Sequence, residues 1–256
     1  MNHVRVIRFD HAGTPRYGIA RGDTVEVLTD APWRGGAPAG EELPLEGLRL
    51  LAPVEPTKVV CVGRNYAAHA AELGNQVPAE PLIFIKPASS VIGPDEPIVL
   101  PRISGNVQHE AELAVVIGKR TRNVPAAQAA DHIAGFTCLN DVTARDIQRA
   151  ETQFTRAKSF DSFCPIGPWI VPGMPEGDRM VRCTVNGAVR QESSTASMIH
   201  DVASLLAFMS RVMTLEPGDV ISTGTPAGVE KLQPGDIVNI EIEGVGVLSN
   251  PVVNEE

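Results

Sequence analysis

The sequence predicts an α+β fold that is mostly β. Apolar residues come in short alternating or continuous runs, Gly and Pro punctuate those runs with 23 and 21 copies, and helical spacing is confined to a few segments. A chain of 256 residues is long enough for one large domain with a small appendage.

The elements follow in order. Residues 4–9, 16–20 and 24–28 alternate as strands between Gly and Asp turns, which makes residues 1–50 a small N-terminal β module. Its exit, 33–42, is rich in Gly, Pro and Ala and reads as a linker. The main domain, 51–256, carries strands at 58–63, 82–86, 112–117, 135–139, 169–171, 181–185, 219–222 and 237–242. Residues 65–73 suit a short helix that stops at Gly74, and 125–133 a second. A third spans 197–213, where Ile199, Val202, Leu205, Leu206, Met209 and Val212 form a core stripe at helical spacing. The motifs Glu216-Pro217-Gly218-Asp219 and Gln233-Pro234-Gly235-Asp236 are turns that lead into strands.

Composition excludes several functions. Asp and Glu number 31 against 22 Lys and Arg, a net charge of −9 with no basic block, so nucleic acid is not an expected partner. No apolar run approaches the roughly 20 residues of a membrane span. Residues 1–10 lack the apolar core of a signal peptide, and the expectation is a soluble cytoplasmic protein. Cys61, Cys138, Cys164 and Cys183 lie far apart without a CxxC pair and read as core thiols. The six histidines are scattered, so carboxylates are the expected ligands of any metal.

One strand poses an electrostatic problem. In His109-Glu110-Ala111-Glu112-Leu113-Ala114-Val115-Val116-Ile117, Glu110 and Glu112 share a face with Ala114 and Val116, while Ala111, Leu113, Val115 and Ile117 share the other. Two like charges on a desolvated face cost several kcal/mol unless a metal or basic partners neutralise them. The alternative is an edge strand with two solvated glutamates. His109 faces away from Glu110 and is not read as a ligand.

Other segments add candidates. Asp141 ends the apolar run 135–140 and can join the glutamates in an all-oxygen set suited to Mg²⁺, Mn²⁺ or Ca²⁺, although Asn140-Asp141 is equally a turn or cap. His69 and Glu72, three apart on the short helix, make an oriented base or an ordinary surface pair. Lys158 alone reads as a solvated lysine. The stretch Ser222-Thr223-Gly224-Thr225-Pro226-Ala227-Gly228 can hold an anion with its amides and hydroxyls, or is a tight turn.

Taken in order, six blocks resemble the fumarylacetoacetate hydrolase family, in its shorter bacterial branch. They are GRNYAAHAAELG at 63–74, IFIKPASSVIG at 83–93, HEAELAVVIGK at 109–119, GFTCLNDVTARDIQ at 135–148, AKSFDSFCPIGPW at 157–169 and LEPGDVISTGTPAGV at 215–229. The resemblance covers about 58–252, and the N-terminal module is similar to the small domain preceding the catalytic domain in isomerase-like members. It implies a mixed β-roll with several sheet layers and a few peripheral helices, usually as a homodimer. By resemblance Glu110, Glu112 and Asp141 match the metal ligands, with Mg²⁺ or Mn²⁺ as the ion. His69 and Glu72 match a catalytic pair on a mobile lid, and Lys158 a lysine near substrate and metal. Arg64, Gln148 and Thr225 fall where substrate contacts are expected.

The resemblance also implies a substrate class: small anionic 2-oxo acids or their enols, often dicarboxylic, handled through an enolate. The expected activity is that of a 2-hydroxyhepta-2,4-diene-1,7-dioate isomerase or an acylpyruvate or fumarylpyruvate C–C bond hydrolase in aromatic catabolism. Oxaloacetate decarboxylase or tautomerase is the alternative on the same scaffold. A catalytically silent metal- or ligand-binding β protein is the alternative of another class, and retention of His69, Glu72 and Lys158 argues against it.

Overall fold

A computed structural model describes residues 4–256 and is mostly β, built in several sheets. Residues 1–3, where the N-terminal segment begins, lie outside the described residues. The main sheet runs in the order Pro38–Pro44, Thr24–Leu28, Thr14–Arg21, Arg5–His11, Cys164–Pro172, Ile133–Asn140, Ala111–Ile117, Val220–Ser222, Lys58–Gly63 and Leu82–Pro87. A second sheet runs Ala188–Ser194, Met180–Val185, Ile237–Ile242, Gly246–Asn254 and Ile98–Leu100. No helix among the described residues is long and apolar enough to cross a membrane.

The strand Ala111–Ile117 lies inside the main sheet, and every one of its residues is buried. Its alternation sorts as the sequence predicts. Leu113, Val115 and Ile117 join the core shared with Val181, Cys183 and Ile240 of the second sheet. Ala114 and Val116 pack on the opposite side with Val59, Cys61 and Ile166. Each large aliphatic side chain buried this way contributes about 1.5–3 kcal/mol. With both faces dry, the solvated-edge alternative for Glu110 and Glu112 fails: they are 4% and 1% exposed. The four cysteines are buried and unbonded, as core thiols should be.

Three expected elements change. The segment expected as a linker instead holds the short 3-10 turn Pro32–Arg34 and the edge strand Pro38–Pro44, paired to Thr24–Leu28 with Val25 opposite Leu43. An edge strand tolerates proline because its outer N–H positions need no partner. The residues expected as a helix over 125–133 form a 3-10 helix, Ala126–His132, because Ile133 already pairs with Ile117 as the first residue of the next strand. The long helix begins only at Val202, where Asp201 caps it by accepting the Ser204 N–H at 2.8 Å. The residues before it are held in another conformation by Asn65: the Asn65 carbonyl accepts the Ile199 N–H at 2.8 Å, and its side-chain oxygen accepts the His200 N–H at 2.8 Å.

Asp219 does more than shape a turn. Its buried carboxylate accepts the Thr57 N–H at 2.9 Å, the Thr57 hydroxyl at 2.7 Å and the Glu216 N–H at 2.8 Å, and pairs with the Lys58 ammonium. It thereby fastens the start of Lys58–Gly63 beside its parallel neighbour Val220–Ser222. The first of these strands leads to the helix Ala67–Glu72 that carries His69; the second leads to the loop behind Glu112.

Candidate metal and active site

Oxygens of Glu110, Glu112 and Asp141 lie within 4.8 Å of one another, and all three residues are buried. The first two flank Ala111 at the start of its strand. Asp141 follows the neighbouring strand Ile133–Asn140, tied back where its N–H donates to the Glu110 carbonyl at 2.8 Å. Two oxygens on one Mg²⁺ or Mn²⁺ stand at most about 4.2 Å apart, so small side-chain rotations close this set around one hard cation. No histidine joins the cluster among the described residues. His109 is buried with Nδ1 2.9 Å from Gln191 Oε1, consistent with its not being read as a ligand.

The chain supplies its own cations. Lys158, read alone as a solvated side chain, is 2% exposed, with Nζ 2.7 Å from Glu110 Oε2 and 2.6 Å from Asp141 Oδ2. Its ammonium also stands 5.1 Å from the centre of the Phe84 ring, within cation–π range. Two further cations escaped the sequence reading. Lys86 is completely buried and donates to Asp141 Oδ1 at 2.6 Å, and Arg145, 1% exposed, pairs with Glu110 and Gln148 and donates to Gln108 at 2.7 Å. A signal existed for each. Lys86 shares the face of Phe84 in an apolar strand, and Arg145 and Gln148 stand three apart on one short helix.

These contacts split the acids electrostatically. Burial alone would raise the Glu110 carboxyl, but Lys158 and Arg145 outweigh it and hold the group well below the usual carboxylate range. Glu112 has no such partner: burial, then the charges of Asp141 and Glu110, push it up to about 8. Burial opposes the charge on Lys158, yet Asp141 and Glu110 raise its ammonium above the ordinary lysine value. Glu112 is instead held by neutral donors, the Ser222 hydroxyl and the Gly224 N–H at 2.7 Å. The loop read as able to hold an anion thus holds a carboxylate of its own chain. Gly224 has φ +93°, and a Cβ there would lie 2.7 Å from Asn65 Cβ, so glycine alone fits.

A carboxyl held near 8 must lose its proton to become a ligand. Cation binding at pH 7 is therefore expected to release close to one proton per site, falling toward none at pH 9 and above. Calorimetric titration with Mn²⁺ in buffers of different ionisation enthalpy measures this, and Glu112→Gln should release none.

His69 is 5% exposed, and its Nδ1 lies 3.3 Å from Glu72 Oε2. Burial lowers its pKa, partly offset by the charge of Glu110 and by Glu72. Glu72 is itself tied to the loop, its Oε1 accepting the Gly228 N–H at 3.0 Å. Arg64 is half-buried at φ +60°, where the strand gives way to this helix. Gln148 reaches the cluster through Arg145, whereas Thr225 is buried with its hydroxyl donating to the Ala111 carbonyl at 2.9 Å.

Fold and site together define a mostly β protein with a buried cluster of three acidic side chains whose oxygens could hold a metal ion, and a histidine–glutamate pair on a short helix. The sequence profile of the fumarylacetoacetate (FAA) hydrolase C-terminal domain matches residues 58–253, and that of the Rv2993c-like N-terminal domain matches residues 4–53. The chain belongs to the fumarylacetoacetate hydrolase family. It is 49% identical over 235 residues to Protein Rv2993c of Mycobacterium tuberculosis, covering 91% of this chain and 89% of that one. The crystal structure of 2-hydroxyhepta-2,4-diene-1,7-dioate isomerase from Mycobacterium marinum superposes with a TM-score of 0.91 at 44% identity, covering 98% and 99% of the two chains. Oxaloacetate tautomerase fahd2, mitochondrial, of Xenopus laevis is 44% identical over 219 residues, 80% of this chain and 69% of that one.

Proposed function

We propose that the chain is a Mg²⁺- or Mn²⁺-dependent enzyme acting on a 2-oxo dicarboxylic acid or its enol. On this reading it isomerises 2-hydroxyhepta-2,4-diene-1,7-dioate-like compounds or hydrolyses a C–C bond of acylpyruvate- or fumarylpyruvate-like ones, in cytoplasmic aromatic catabolism. The observation that carries it is the charge balance around Glu110, Glu112 and Asp141. Lys86, Lys158 and Arg145 pair with Asp141 and Glu110, so three cations offset the three carboxylates once Glu112 is ionised, and a bound divalent cation leaves two positive charges for a dianionic substrate.

Held by the three carboxylates, the cation would act as a Lewis acid toward the substrate's 1-carboxylate and 2-oxo oxygens. The side chains do the rest. Lys158 places an ammonium against the developing oxyanion, which favours an enolate when a C3 bond to hydrogen or carbon breaks. Glu72, facing His69 Nδ1, orients the ring so that Nε2 can take up or return a proton. Low basicity imposed by burial keeps that ring neutral and ready to accept. Reprotonation of that enolate at another carbon is isomerisation. In hydrolysis water first adds to a distal carbonyl, and collapse of the adduct breaks the C–C bond, releases the acid and expels the same enolate, which is then protonated at C3.

Oxaloacetate is the second reading, favoured by the named tautomerase relative. It is also a 2-oxo dicarboxylate with an accessible enol. Purified, EDTA-stripped protein assayed with Mn²⁺ separates these readings on 2-hydroxyhepta-2,4-diene-1,7-dioate, fumarylpyruvate, an acylpyruvate and oxaloacetate. Turnover of at least one, absent with EDTA, is expected. Turnover of none would favour the catalytically silent binding protein.

A further inference from the structure

Gln191 lies on Ala188–Ser194 of the second sheet, far in sequence from every candidate so far, and is 1% exposed. Its amide makes four hydrogen bonds. Oε1 accepts the Ala111 N–H at 3.0 Å and faces His109 Nδ1 at 2.9 Å; Nε2 donates to Thr225 Oγ1 and to the Pro226 carbonyl, each at 2.7 Å. A backbone N–H can only donate and a carbonyl only accept, so the amide has one orientation, and His109 Nδ1 must carry hydrogen.

The position of this amide matters. Val220–Ser222 pairs with Ala111–Ile117 from Val116 down to Ala114, and the Thr223 N–H still reaches the Leu113 carbonyl. Beyond that point the neighbouring strand turns away into the loop. The N–H and carbonyl of Ala111, the residue between the two glutamates, are taken instead by Gln191 Oε1 and the Thr225 hydroxyl. Two side chains therefore continue the ladder where backbone is missing. Because Glu110 and Glu112 leave the chain on either side of Ala111, the orientation of its peptide groups sets the spacing of their carboxylates.

We propose that Gln191 is the positioning residue of the cation site: it locks the Ala111 backbone through Oε1 and the Thr225 loop through Nε2, and so holds Glu110, Glu112 and the loop that cradles Glu112 in one arrangement. It touches neither cation nor substrate. The inference rests on the metal reading above.

The test is Mn²⁺ affinity, measured well below the melting temperature, in Gln191→Leu, which removes all four bonds, and Gln191→Asn, which keeps the amide but withdraws it by one methylene. Outer-shell partners of metal sites are worth about 10–100-fold in affinity, and a loss of at least about tenfold is expected in both variants. If Gln191→Leu does not fold, Gln191→Asn decides. In a Glu112→Gln background the effect of Gln191→Asn should shrink to less than about threefold, since coupled residues are not additive. A merely structural role would lower melting temperature without that coupling. Folded variants with wild-type affinity, or losses that multiply independently in the cycle, overturn the role of Gln191 alone. Absence of Mn²⁺ binding by the wild type overturns the metal reading and this inference with it.

Discussion

Glu112→Gln is expected to abolish turnover while raising the melting temperature of the cation-free protein at pH 9. Glu112 is buried against two other carboxylates with only neutral donors to hold it, and its pKa is pushed up to about 8. For an acid raised in the folded state, the associated stability is complete below its unfolded value near 4.5 and is lost as pH climbs through 8. Glutamine keeps the shape and an acceptor oxygen for Ser222 and Gly224 but never ionises. The gain should be about 1–2 kcal/mol at pH 9, at about 2–4 °C per kcal/mol, and vanish at pH 5. Glu110→Ala should do the reverse, destabilising by about 3–5 kcal/mol because Lys158 and Arg145 lose a buried partner. Melting curves in EDTA across pH, with kcat/KM in Mn²⁺, check both. Full activity in Glu110→Ala would sink the metal mechanism.

Substituting His69 is expected to separate binding from chemistry. His69→Asn should lower kcat by about 10²–10⁴-fold, the usual worth of a positioned general base, and leave Mn²⁺ affinity within about twofold. The acid limb of the wild-type pH profile should fall below the ordinary imidazole value, because burial lowers the pKa of His69 and the neutral ring is the competent form. Activity thus rises with pH through that limb, and the variant should lose the limb along with the rate. An acid limb that persists in His69→Asn would assign it to another group.

The parts of the site legible in the sequence were those written in strand alternation. Glu110 and Glu112 stood out because acids at every second position of an apolar strand contradict burial, and the structure buries them. Lys86 and Arg145 are harder: one lysine in a strand and the first residue of a six-residue helix carry no period of their own, and only the tertiary fold makes them partners of Asp141 and Glu110. Gln191 has no local signal, since its four contacts lie 34 to 82 residues away. In the fold, strands with clean alternation fell where expected, whereas the linker reading of 33–42 failed because turn-rich composition also describes an edge strand. Gly40, at φ +76°, sits where the pairing of that strand slips between Glu26 and Leu28.

The N-terminal strands do not hang from the rest of the chain as a separate bead. Arg5–His11 pairs with Cys164–Pro172, which in turn pairs with Ile133–Asn140, the strand that delivers Asp141. Arg5 also stacks 4.8 Å over the Trp169 ring. Cutting the first fifty residues away would strip the cover from one side of Cys164–Pro172 and leave an apolar template open to other chains, one ladder from the strand that leads to Asp141. The module thus closes a sheet edge from within the chain, and its exchange in chimaeric proteins is expected to be felt first as insolubility and only then as altered chemistry.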